Sequence, residues 1–150
     1  MKISIQSGPM TRSREIQKRY IKESISKKKK DCSFCAFSIS DGQVIKEYKH
    51  FWLVKNIYPY IAWDGCEVTE HNMLVPKRHM ISLSKLRQDE AAEYVKIIND
   101  AEGNGYSLYT RSNSNITKSI PHVHTHFIKI ASKRIKSLFY IRKPHILWFR

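Results

Sequence analysis

The sequence predicts one domain that combines helices with strands. Three patterns support this prediction: an alternating histidine segment at 120–130, a helical periodicity between Ser84 and Asp100, and a turn at Asp41-Gly42 between two alternating stretches. A chain of 150 residues, 41% of them hydrophobic and 11% aromatic, is long enough to bury one substantial core. We find no internal repeat and no boundary of a second globular domain.

Two segments have the spacing of helices. A narrow apolar stripe predicts a helix from about 13 to 26, after a mobile tail at 1–11 that contains the breaker Gly8-Pro9. A stripe of period 3.6 predicts a longer helix from 84 to 100, and Gly103 is placed to end it.

The remaining apolar segments are typical of strands, because apolar residues alternate with polar ones or form short runs between turn residues. The predicted strands are 36–39 and 43–48 as a hairpin, 51–57, 72–76, 107–110 and 120–130. Residues 58–65 and 111–118 are predicted loops. The aromatic stretches 137–141 and 145–149 are interpreted either as terminal strands or as a partner-binding arm.

The net charge of +14 lies at the two ends of the chain. Residues 1–30 hold ten Lys/Arg against two Glu, and residues 118–150 hold eight against no acid, whereas residues 31–117 hold nine against eleven. This distribution indicates either a polyanionic partner, DNA or RNA, or a solvated surface that keeps the protein in solution. The run Lys27 to Lys30 is the cationic last turn of a helix, a phosphate-facing patch or a nuclear-import signal.

The sequence also predicts the cellular compartment of the protein and the chemistry of its cysteines. No apolar stretch is long enough to cross a bilayer, and the first residues lack the apolar run of a secretory signal. We therefore expect an intracellular protein, cytoplasmic or nuclear, with no membrane partner. Three cysteines are too few for a disulfide scaffold, and the pair Cys32-x-x-Cys35 is more typical of a metal clamp or a redox site.

His122, His124 and His126 alternate with apolar or small residues. On a strand this period of two would place all three imidazoles on one face. Burial would strand the donor and the acceptor of each neutral ring, so such a row is typical of metal binding or of chemistry on an anion. The alternative is a set of exposed or hydrogen-bonded histidines without a chemical role.

Residues 32–130 resemble the histidine-triad (HIT) superfamily of nucleotide hydrolases and transferases. Phe127-Ile128 follows the triad, and the stretch 71–79, His-Asn-Met-Leu-Val-Pro-Lys-Arg-His, is similar to the family's H-x-L-V-x-P-K-x-H strand. Asn56-x-x-Pro59-Tyr60 lies where such proteins have their nucleotide-facing strand end. The resemblance implies an α+β fold, with a long helix packed on an antiparallel sheet of about five strands, and members are often homodimers.

With this resemblance, the chain divides into a basic tail and helix at 1–30, a HIT-like catalytic domain at 31–130, and a basic aromatic extension at 131–150 packed on the same domain. The expected fold thus has an additional N-terminal helix.

The resemblance implies a nucleotide hydrolase in which His124 is the nucleophile. His124 would attack the α-phosphorus of a nucleoside phosphoanhydride or phosphoramidate, and water would hydrolyse the nucleotidyl-histidine. His126 would hold the phosphate oxygens or the leaving group, and its presence argues against the uridylyltransferase branch, which has glutamine there. Ser119 lies at the family's hydroxyl position, where backbone amides would help to stabilise charge. Asn56 would contact the ribose, or is simply a strand-end turn residue.

Zinc is the second implication of the resemblance. Metal-binding members use a Cys-x-x-Cys, the histidine of the P-K-x-H segment and the first triad histidine. The corresponding residues here are Cys32, Cys35, His79 and His122. Two thiolates and two imidazoles form a closed tetrahedral set, which favours a structural zinc over a catalytic one.

Other roles are possible for the cysteines and for His71. Cys66 and His71 match no ligand position of the family, and we interpret Cys66 as an ordinary free thiol. A redox role for Cys32 and Cys35 is the alternative, although the chain lacks the βαβ context of such motifs.

The sequence also departs from the family pattern. Ile116-Thr117-Lys118-Ser119 replaces the family's G-Q-S/T loop, and Arg111 stands eleven residues before His122, where Asn or Gln is usual. Arg111 and Lys118 add two cations beside the phosphate, which favours a more charged substrate than a simple mononucleotide ester. The alternatives to a nucleotide hydrolase are nucleic-acid-end processing (deadenylation or cap hydrolysis) aided by the basic termini, and a non-catalytic module that binds nucleotide or nucleic acid.

Overall fold

The computed structural model describes residues 4–6, 12–26, 32–115, 118–136, 138–142 and 145–149. Nine strands and two α-helices lie in these ranges. In chain order they are β1 (Ser4–Gln6), α1 (Arg14–Ser26), β2 (Val44–Glu47), β3 (Phe51–Lys55), β4 (Ala62–Trp63), β5 (Cys66–Pro76), α2 (Gln88–Gly103), β6 (Ser107–Thr110), β7 (Thr125–Arg134), β8 (Leu138–Arg142) and β9 (His145–Phe149). Short 3₁₀ turns precede β2, at Ser33–Ala36, and α2, at Leu83–Lys85.

The chain divides into two compact units. One consists of Met1–Lys28, Tyr58–Glu70 and Ile130–Arg150, and the other of Lys29–Ile57 and His71–Lys129. The division predicted at residues 30 and 130, with the extension packed on the catalytic domain, stays a prediction.

A six-stranded sheet has the order β2-β3-β5-β7-β6, and β4 pairs with β5. Its β2-β3, β3-β5 and β6-β7 pairs are antiparallel. With α1 and α2, this sheet confirms the predicted α+β class, and β4 is a strand beyond the five that were expected.

Alternation along the strands gives the sheet two apolar faces in the unit Lys29–Ile57 and His71–Lys129. On one face, Phe51, Leu74 and Phe127 pack against α2 through Ile97 and Ala101. The opposite face carries a second cluster made by Phe34, Val54, Met73 and Val75. Because side chains two apart share a face, His71 and His126 lie on the side opposite α2.

Both ends of α2 differ from the predicted helix at 84–100. The helix begins at Gln88, because Leu83–Lys85 forms a 3₁₀ turn and Glu90 accepts a hydrogen bond from the backbone N–H of Arg87 (2.8 Å). Gly103 is still helical, and Gly105, with φ +80°, takes the left-handed conformation beyond the end. Tyr106 N–H then donates to the carbonyl of Ala101 (3.1 Å) and leads into β6.

The predicted histidine strand at 120–130 is wrong in its first half, because β7 begins at Thr125. His122 and His124 precede the strand, and only His126 lies on it. Pro121 has no N–H to give to a ladder. The N–H of Val123 instead donates to the carbonyl of Met80 at 2.7 Å, outside the sheet.

Two further predictions for the β-elements need correction. Residues 36–39 do not form a strand, because the 3₁₀ turn at Ser33–Ala36 and the turns that follow it engage their backbone. The predicted loop at 58–65 contains β4, and the strand expected at 72–76 begins at Cys66. Asp64 (φ 50°) and Gly65 (φ 73°) form the tight turn between β4 and β5, a hairpin signal that the sequence interpretation missed.

In the other unit, β1, β8 and β9 form a three-stranded sheet. Ser4–Gln6 pairs in parallel with β8, so these three residues do not belong to a mobile tail. The pieces around 137–141 and 145–149 are terminal strands, as one of the two interpretations held.

The helix α1, predicted at 13–26, is confirmed at Arg14–Ser26. It packs through Tyr20, whose ring lies 5.2 Å from that of Tyr58. The guanidinium of Arg12 lies over both Tyr20 (4.7 Å) and Tyr60 (5.1 Å). Neither helix in the ranges above has the length and apolar character needed to span a membrane.

Some of the features discussed from the sequence lie outside the described residues. They are Gly8-Pro9, Lys27 to Lys30 and Ile116-Thr117.

Candidate active site

All three triad histidines are buried, but their rings do not form one row. His122 is 0%, His124 8% and His126 4% exposed. The rings of His124 and His126 meet edge to face with centroids 4.9 Å apart. The ring of His122 lies instead 4.7 Å from that of His79. The triad is therefore divided between two neighbouring sites.

The orientation of His124 determines which ring nitrogen can react. Its Nδ1 lies 2.9 Å from the backbone carbonyl oxygen of His122. A carbonyl can only accept, so Nδ1 carries the proton and Nε2 holds the free electron pair. The ring packs edge-on against Phe34, with centroids 5.0 Å apart.

The electrostatics of the site keep His124 neutral. Burial lowers the pKa of His124 below its ordinary value, the hydrogen bond to His122 opposes this shift, and the positive charges of Lys118 and Arg111 add to it. A neutral imidazole with an unprotonated Nε2 is the nucleophilic form of the side chain.

His126 belongs to a buried polar chain that begins at Asn56. His126 Nδ1 lies 2.9 Å from His71 Nε2, so one of the two nitrogens donates and the other accepts. The side-chain nitrogen of Asn56 lies 3.1 Å from the same Nε2, and the backbone N–H of Asn56 donates to the carbonyl of His71 (3.0 Å). These contacts join the end of β3 to β5 and β7.

Arg111 is connected to His126 through an aromatic ring. Tyr109 pairs with His126 in the β6-β7 register, and the two rings stack at 25° with centroids 5.9 Å apart. The guanidinium carbon of Arg111 lies 5.2 Å from the centre of the Tyr109 ring.

Lys118 lies in the connection between β6 and β7 and contacts the segment that follows β5. Its Nζ donates to the carbonyl of Ile81 (2.9 Å), next to the Met80 carbonyl that accepts from Val123. Burial lowers the pKa of Lys118 below its ordinary value. Ser119, one residue further on, is exposed.

Cys32, Cys35, His79 and His122 come together as a second cluster. Their ligand atoms all lie within 4.8 Å of one another. His122 Nδ1 lies 3.5 Å from Cys32 Sγ and 3.6 Å from Cys35 Sγ, and His79 Nδ1 lies 3.3 Å from Cys35 Sγ. Zinc bonds of about 2.3 Å to sulfur and about 2.05 Å to nitrogen at the tetrahedral angle would separate S from N by about 3.6 Å. The donor set therefore fits a metal ion of this type.

Local structure brings these four side chains together. The 3₁₀ turn at Ser33–Ala36, with Cys35 N–H donating to the carbonyl of Cys32 (3.0 Å), points both thiols to one side. Burial lowers the pKa of His122 to about 4, and the nearby His79 adds to the shift, so the ring is neutral and able to ligate. Burial also raises the pKa of the Cys35 thiol, with Cys32 adding to it, and a bound cation would reverse this shift.

No protein-family model matches the sequence, and no curated protein matches it. Solved structures do match. A HIT family hydrolase from Legionella pneumophila Philadelphia 1 is 20% identical with a TM-score of 0.51, and the match covers 69% of this chain and 95% of that one. A HIT family hydrolase from Clostridium thermocellum is 18% identical with a TM-score of 0.51, covering 71% and 96%. A hypothetical histidine triad nucleotide-binding protein from Sulfolobus tokodaii strain 7 is 23% identical with a TM-score of 0.51, covering 68% and 70%.

The chain has the histidine-triad fold. At these identities the likeness concerns the fold alone, and the chemistry of the site has to be argued from this chain's own residues.

Within the histidine-triad fold, the predicted site residues fall into three groups. Cys32, Cys35, His79 and His122 form the ligand cluster. His124 and His126 lie beside each other, with the charges of Arg111 and Lys118 acting on His124. Asn56 is buried and its side chain contacts His71, a contact that a strand-end turn residue does not require. Its contact with a ribose stays a prediction.

Sequence interpretation missed two residues that this fold brings to the site. His71 was set aside because it matched no ligand position, yet it contacts His126 directly. It lies two residues before Met73 and four before Val75, so the alternation along β5 places it on their face, and this signal was available in the sequence. For Tyr109, only its register opposite His126 reveals the contact.

Proposed function

We propose that the protein is a hydrolase that cleaves a nucleoside phosphoanhydride or phosphoramidate at the α-phosphate through a nucleotidyl-histidine on His124. The observation that carries this proposal is the hydrogen bond from His124 Nδ1 to the carbonyl of His122 (2.9 Å), which leaves Nε2 unprotonated in a buried site. The fold similarity to proteins named HIT family hydrolase and histidine triad nucleotide-binding protein supports the reaction class and the nucleotide.

The reaction has two displacements at phosphorus. His124 Nε2 donates its electron pair to the α-phosphorus, and the bond to the leaving group breaks with its electron pair going to the leaving atom. Water then attacks the same phosphorus, the P–N bond breaks, and its electron pair returns to Nε2. One proton from the water is released, and a nucleoside monophosphate leaves.

The surrounding residues have supporting roles. His126, held by His71, would contact the phosphate oxygens that gain charge in the transition state. Arg111 and Lys118 would attract the anionic substrate, while Ser119 and its backbone would complete the phosphate site. Asn56 would contact the ribose from the end of β3.

Zinc is the metal that the Cys32, Cys35, His79 and His122 set suits best. Four protein ligands leave no open position, so a bound zinc ion would act structurally. It would fix His122, and because His122 supplies the carbonyl that orients His124, the ligand set and the nucleophile share one residue.

The proposal is tested by AMP release from an adenosine phosphoramidate, a dinucleoside polyphosphate and 5′-adenylated DNA. We expect the parent protein to turn over at least one of them and His124→Ala to lose at least about 10³-fold in kcat. His50→Ala, which removes a histidine paired with Asp89, is the matched control and should retain the rate. Mass spectrometry of the parent after rapid quenching should find a nucleotidyl group on His124.

Two outcomes contradict the proposal. If His124→Ala retains the rate, another residue is the nucleophile. If the parent turns over none of the three substrates but binds nucleotide, the protein is a binding module.

A second candidate function is the processing of nucleic-acid ends, and one feature of α1 favours it. Arg14, Lys18 and Lys22 lie at i, i+4 and i+8 on one face of the helix, and all three are exposed. None of them forms an ion pair with any residue in the described ranges. Such a stripe would bind the phosphates of a nucleic-acid strand.

Salt dependence tests this second candidate. If all three side chains contact phosphates, log K for a single-stranded oligonucleotide should fall with log salt at a slope near −2, on the basis of about −0.7 per phosphate. The triple variant Arg14→Gln, Lys18→Gln, Lys22→Gln should flatten the slope. Absence of binding at low salt would rule the candidate out. A homodimer and a cytoplasmic or nuclear location stay predictions.

A further inference from the structure

The two histidines of the Cys/His ligand cluster differ in how they are held. His122 is 0% exposed, so packing fixes its ring, whereas His79 is exposed. We propose that Glu90 is a positioning residue of this cluster: its ion pair with Arg78 holds the backbone beside His79 in place and thereby sets the affinity for the metal. This inference rests on the zinc site of the proposed function, and it names a residue outside the ligand set on which metal binding depends.

The ion pair joins the residue that precedes His79 to helix α2. Arg78 Nε donates to Glu90 Oε1 (2.9 Å), and Nη2 of the same guanidinium donates to Oε2 (2.6 Å). Glu90 is only 4% exposed. Two parallel N–H···O contacts fix the relative orientation of a guanidinium and a carboxylate, which a single contact would leave free. The side chain of Arg78 is therefore held in direction as well as in distance.

Both partners of the ion pair are fixed by further contacts. Glu90 lies in the first turn of α2 and accepts a hydrogen bond from the backbone N–H of Arg87 (2.8 Å). Arg78 Nη2 also donates to the carbonyl of Lys85 (2.8 Å), in the 3₁₀ turn before the helix. The connection between β5 and α2 is thus closed on itself, with Arg78 near its start and Glu90 just beyond its end.

A second anchor lies on the other side of His79. Met80 is buried, and its carbonyl accepts a hydrogen bond from the N–H of Val123 (2.7 Å), the neighbour of His122. His79 therefore stands between a residue tied to α2 and a residue tied to the triad segment. From this short stretch its ring reaches the cluster, where Nδ1 lies 3.3 Å from Cys35 Sγ.

Loss of the Arg78–Glu90 pair would remove one of these two anchors. Metal coordination tolerates deviations of only about 0.2 Å in the ligand distances. A less restricted backbone would present the His79 ring over a wider range of positions, so part of the binding free energy would be used to restrict it. Replacement of groups that orient metal ligands typically lowers metal affinity by about 10- to 100-fold.

Glu93 provides a matched control on the same helix. Its carboxylate accepts the backbone N–H groups of Lys49 (3.1 Å) and His50 (2.8 Å), and so ties α2 to the turn between β2 and β3. Neither Lys49 nor His50 is next to a residue of the ligand cluster in the chain. Glu93→Gln therefore reports how far a weaker attachment of the helix alone affects the metal.

The test measures zinc affinity by competition with a coloured chelator. We expect Glu90→Gln and Arg78→Gln each to weaken zinc binding by about 10- to 100-fold, and the double variant to weaken it no further than the larger single loss. Glu93→Gln should keep the parent affinity. Arg78→Lys keeps the charge but cannot form the bidentate contact, so its affinity should lie between those of Arg78→Gln and the parent. If Glu90→Gln fails to fold, the two Arg78 variants test the same expectation.

Cobalt(II) gives a second readout, because its visible absorption depends on the coordination geometry. At saturating cobalt, the band intensity of tetrahedral coordination should fall in Glu90→Gln and stay at the parent level in Glu93→Gln.

Three results would overturn the inference. If the two charges acted on the metal only through Coulomb's law, removal of the Glu90 carboxylate would weaken zinc binding and removal of the Arg78 cation would strengthen it. An equal loss in Glu93→Gln would mean that the effect is one of general stability. A parent protein that binds no zinc would overturn the inference together with the metal site.

AMP release is measured separately, so that the two proposals can fail independently. A parent whose zinc affinity depends on Glu90, but which hydrolyses none of the three substrates, supports the inference while the proposed hydrolysis fails.

Discussion

His71 Nε2 lies 2.9 Å from His126 Nδ1, and both residues are only 4% exposed. The contact joins residues 55 positions apart, one on β5 and one on β7. It ties the orientation of the triad's last histidine to the strand that leads to His79 of the Cys/His ligand cluster.

Replacement of His71 should affect catalysis through His126. His71→Phe fills a similar space but removes the hydrogen-bond partner, so the buried His126 nitrogen would be left unsatisfied at a cost of about 1–3 kcal/mol. We expect kcat to fall by about 10- to 100-fold while the protein remains folded, because 1.4 kcal/mol corresponds to a factor of ten. Steady-state kinetics and the urea midpoint measure the two effects. Full activity in His71→Phe would show that this contact does not orient His126.

Removal of one ligand should abolish metal binding. We expect one zinc per chain in the parent protein and less than about 0.1 in Cys35→Ser, because a closed tetrahedral site requires all four donors. The loss should also lower the melting temperature, because metal binding contributes to folding free energy. Elemental analysis and thermal unfolding check both expectations.

Cys66→Ala is the matched control for the metal site, since Cys66 is a buried free cysteine outside the cluster. It should retain the zinc. A parent protein without metal, whose Cys32 and Cys35 form a reversible disulfide, would instead support the redox alternative.

Glu90 should make stability depend on acid pH. Arg78 donates to both of its oxygens (2.9 and 2.6 Å), and the pKa of Glu90 is lowered from 4.5 to about 2, mainly by Arg78, against the effect of burial. Because the folded pKa lies below the unfolded one, this stabilisation is present above pH 4.5 and is lost as the pH falls from 4.5 to 2.

We therefore expect Glu90→Gln to be less stable than the parent by about 2 kcal/mol at pH 7, and the difference to shrink by about pH 3. Urea unfolding at several pH values measures it. Glu102→Gln, on the exposed side of α2, should stay within about 0.5 kcal/mol of the parent at every pH. A difference between Glu90→Gln and the parent that does not change with pH would contradict the ion-pair explanation.

Thr125 should contribute to the packing of α2 on the triad strand. Its hydroxyl is buried and lies 2.9 Å from the Tyr94 hydroxyl and 2.8 Å from that of Thr110. Thr125→Val and Tyr94→Phe each remove the bond to α2 and should each cost about 1 kcal/mol. In a double-mutant cycle the two losses should not add. Additive losses would mean that the two hydroxyls do not interact.

The residues that could be identified most clearly from the sequence are those whose side chains have distinctive chemistry in any environment. The family resemblance groups Cys32, Cys35, His79 and His122 as ligands, and the fold brings their ligand atoms within 4.8 Å of one another. The two helices were found for a similar reason, because an apolar stripe of period 3.6 is a local property.

At two places where the sequence interpretation was wrong, a distant residue supplied the hydrogen bonds. The alternation around His122 and His124 favours a strand, but Val123 donates to Met80 and the ladder starts only at Thr125. The tail at 1–11 offered no sign that Ser4–Gln6 would pair with β8, more than 130 positions away.

By itself, then, the sequence predicted the two helices and most of the strands, because short-range period carries that information, while the family resemblance implied the α+β class and the ligand set. Tertiary structure alone decided that His122 lies against His79, that His71 contacts His126, and that Arg111 lies over Tyr109. Each of these contacts depends on which strands pair and in what register. Pairing partners that lie far apart in the chain leave no local pattern from which the contact could be inferred.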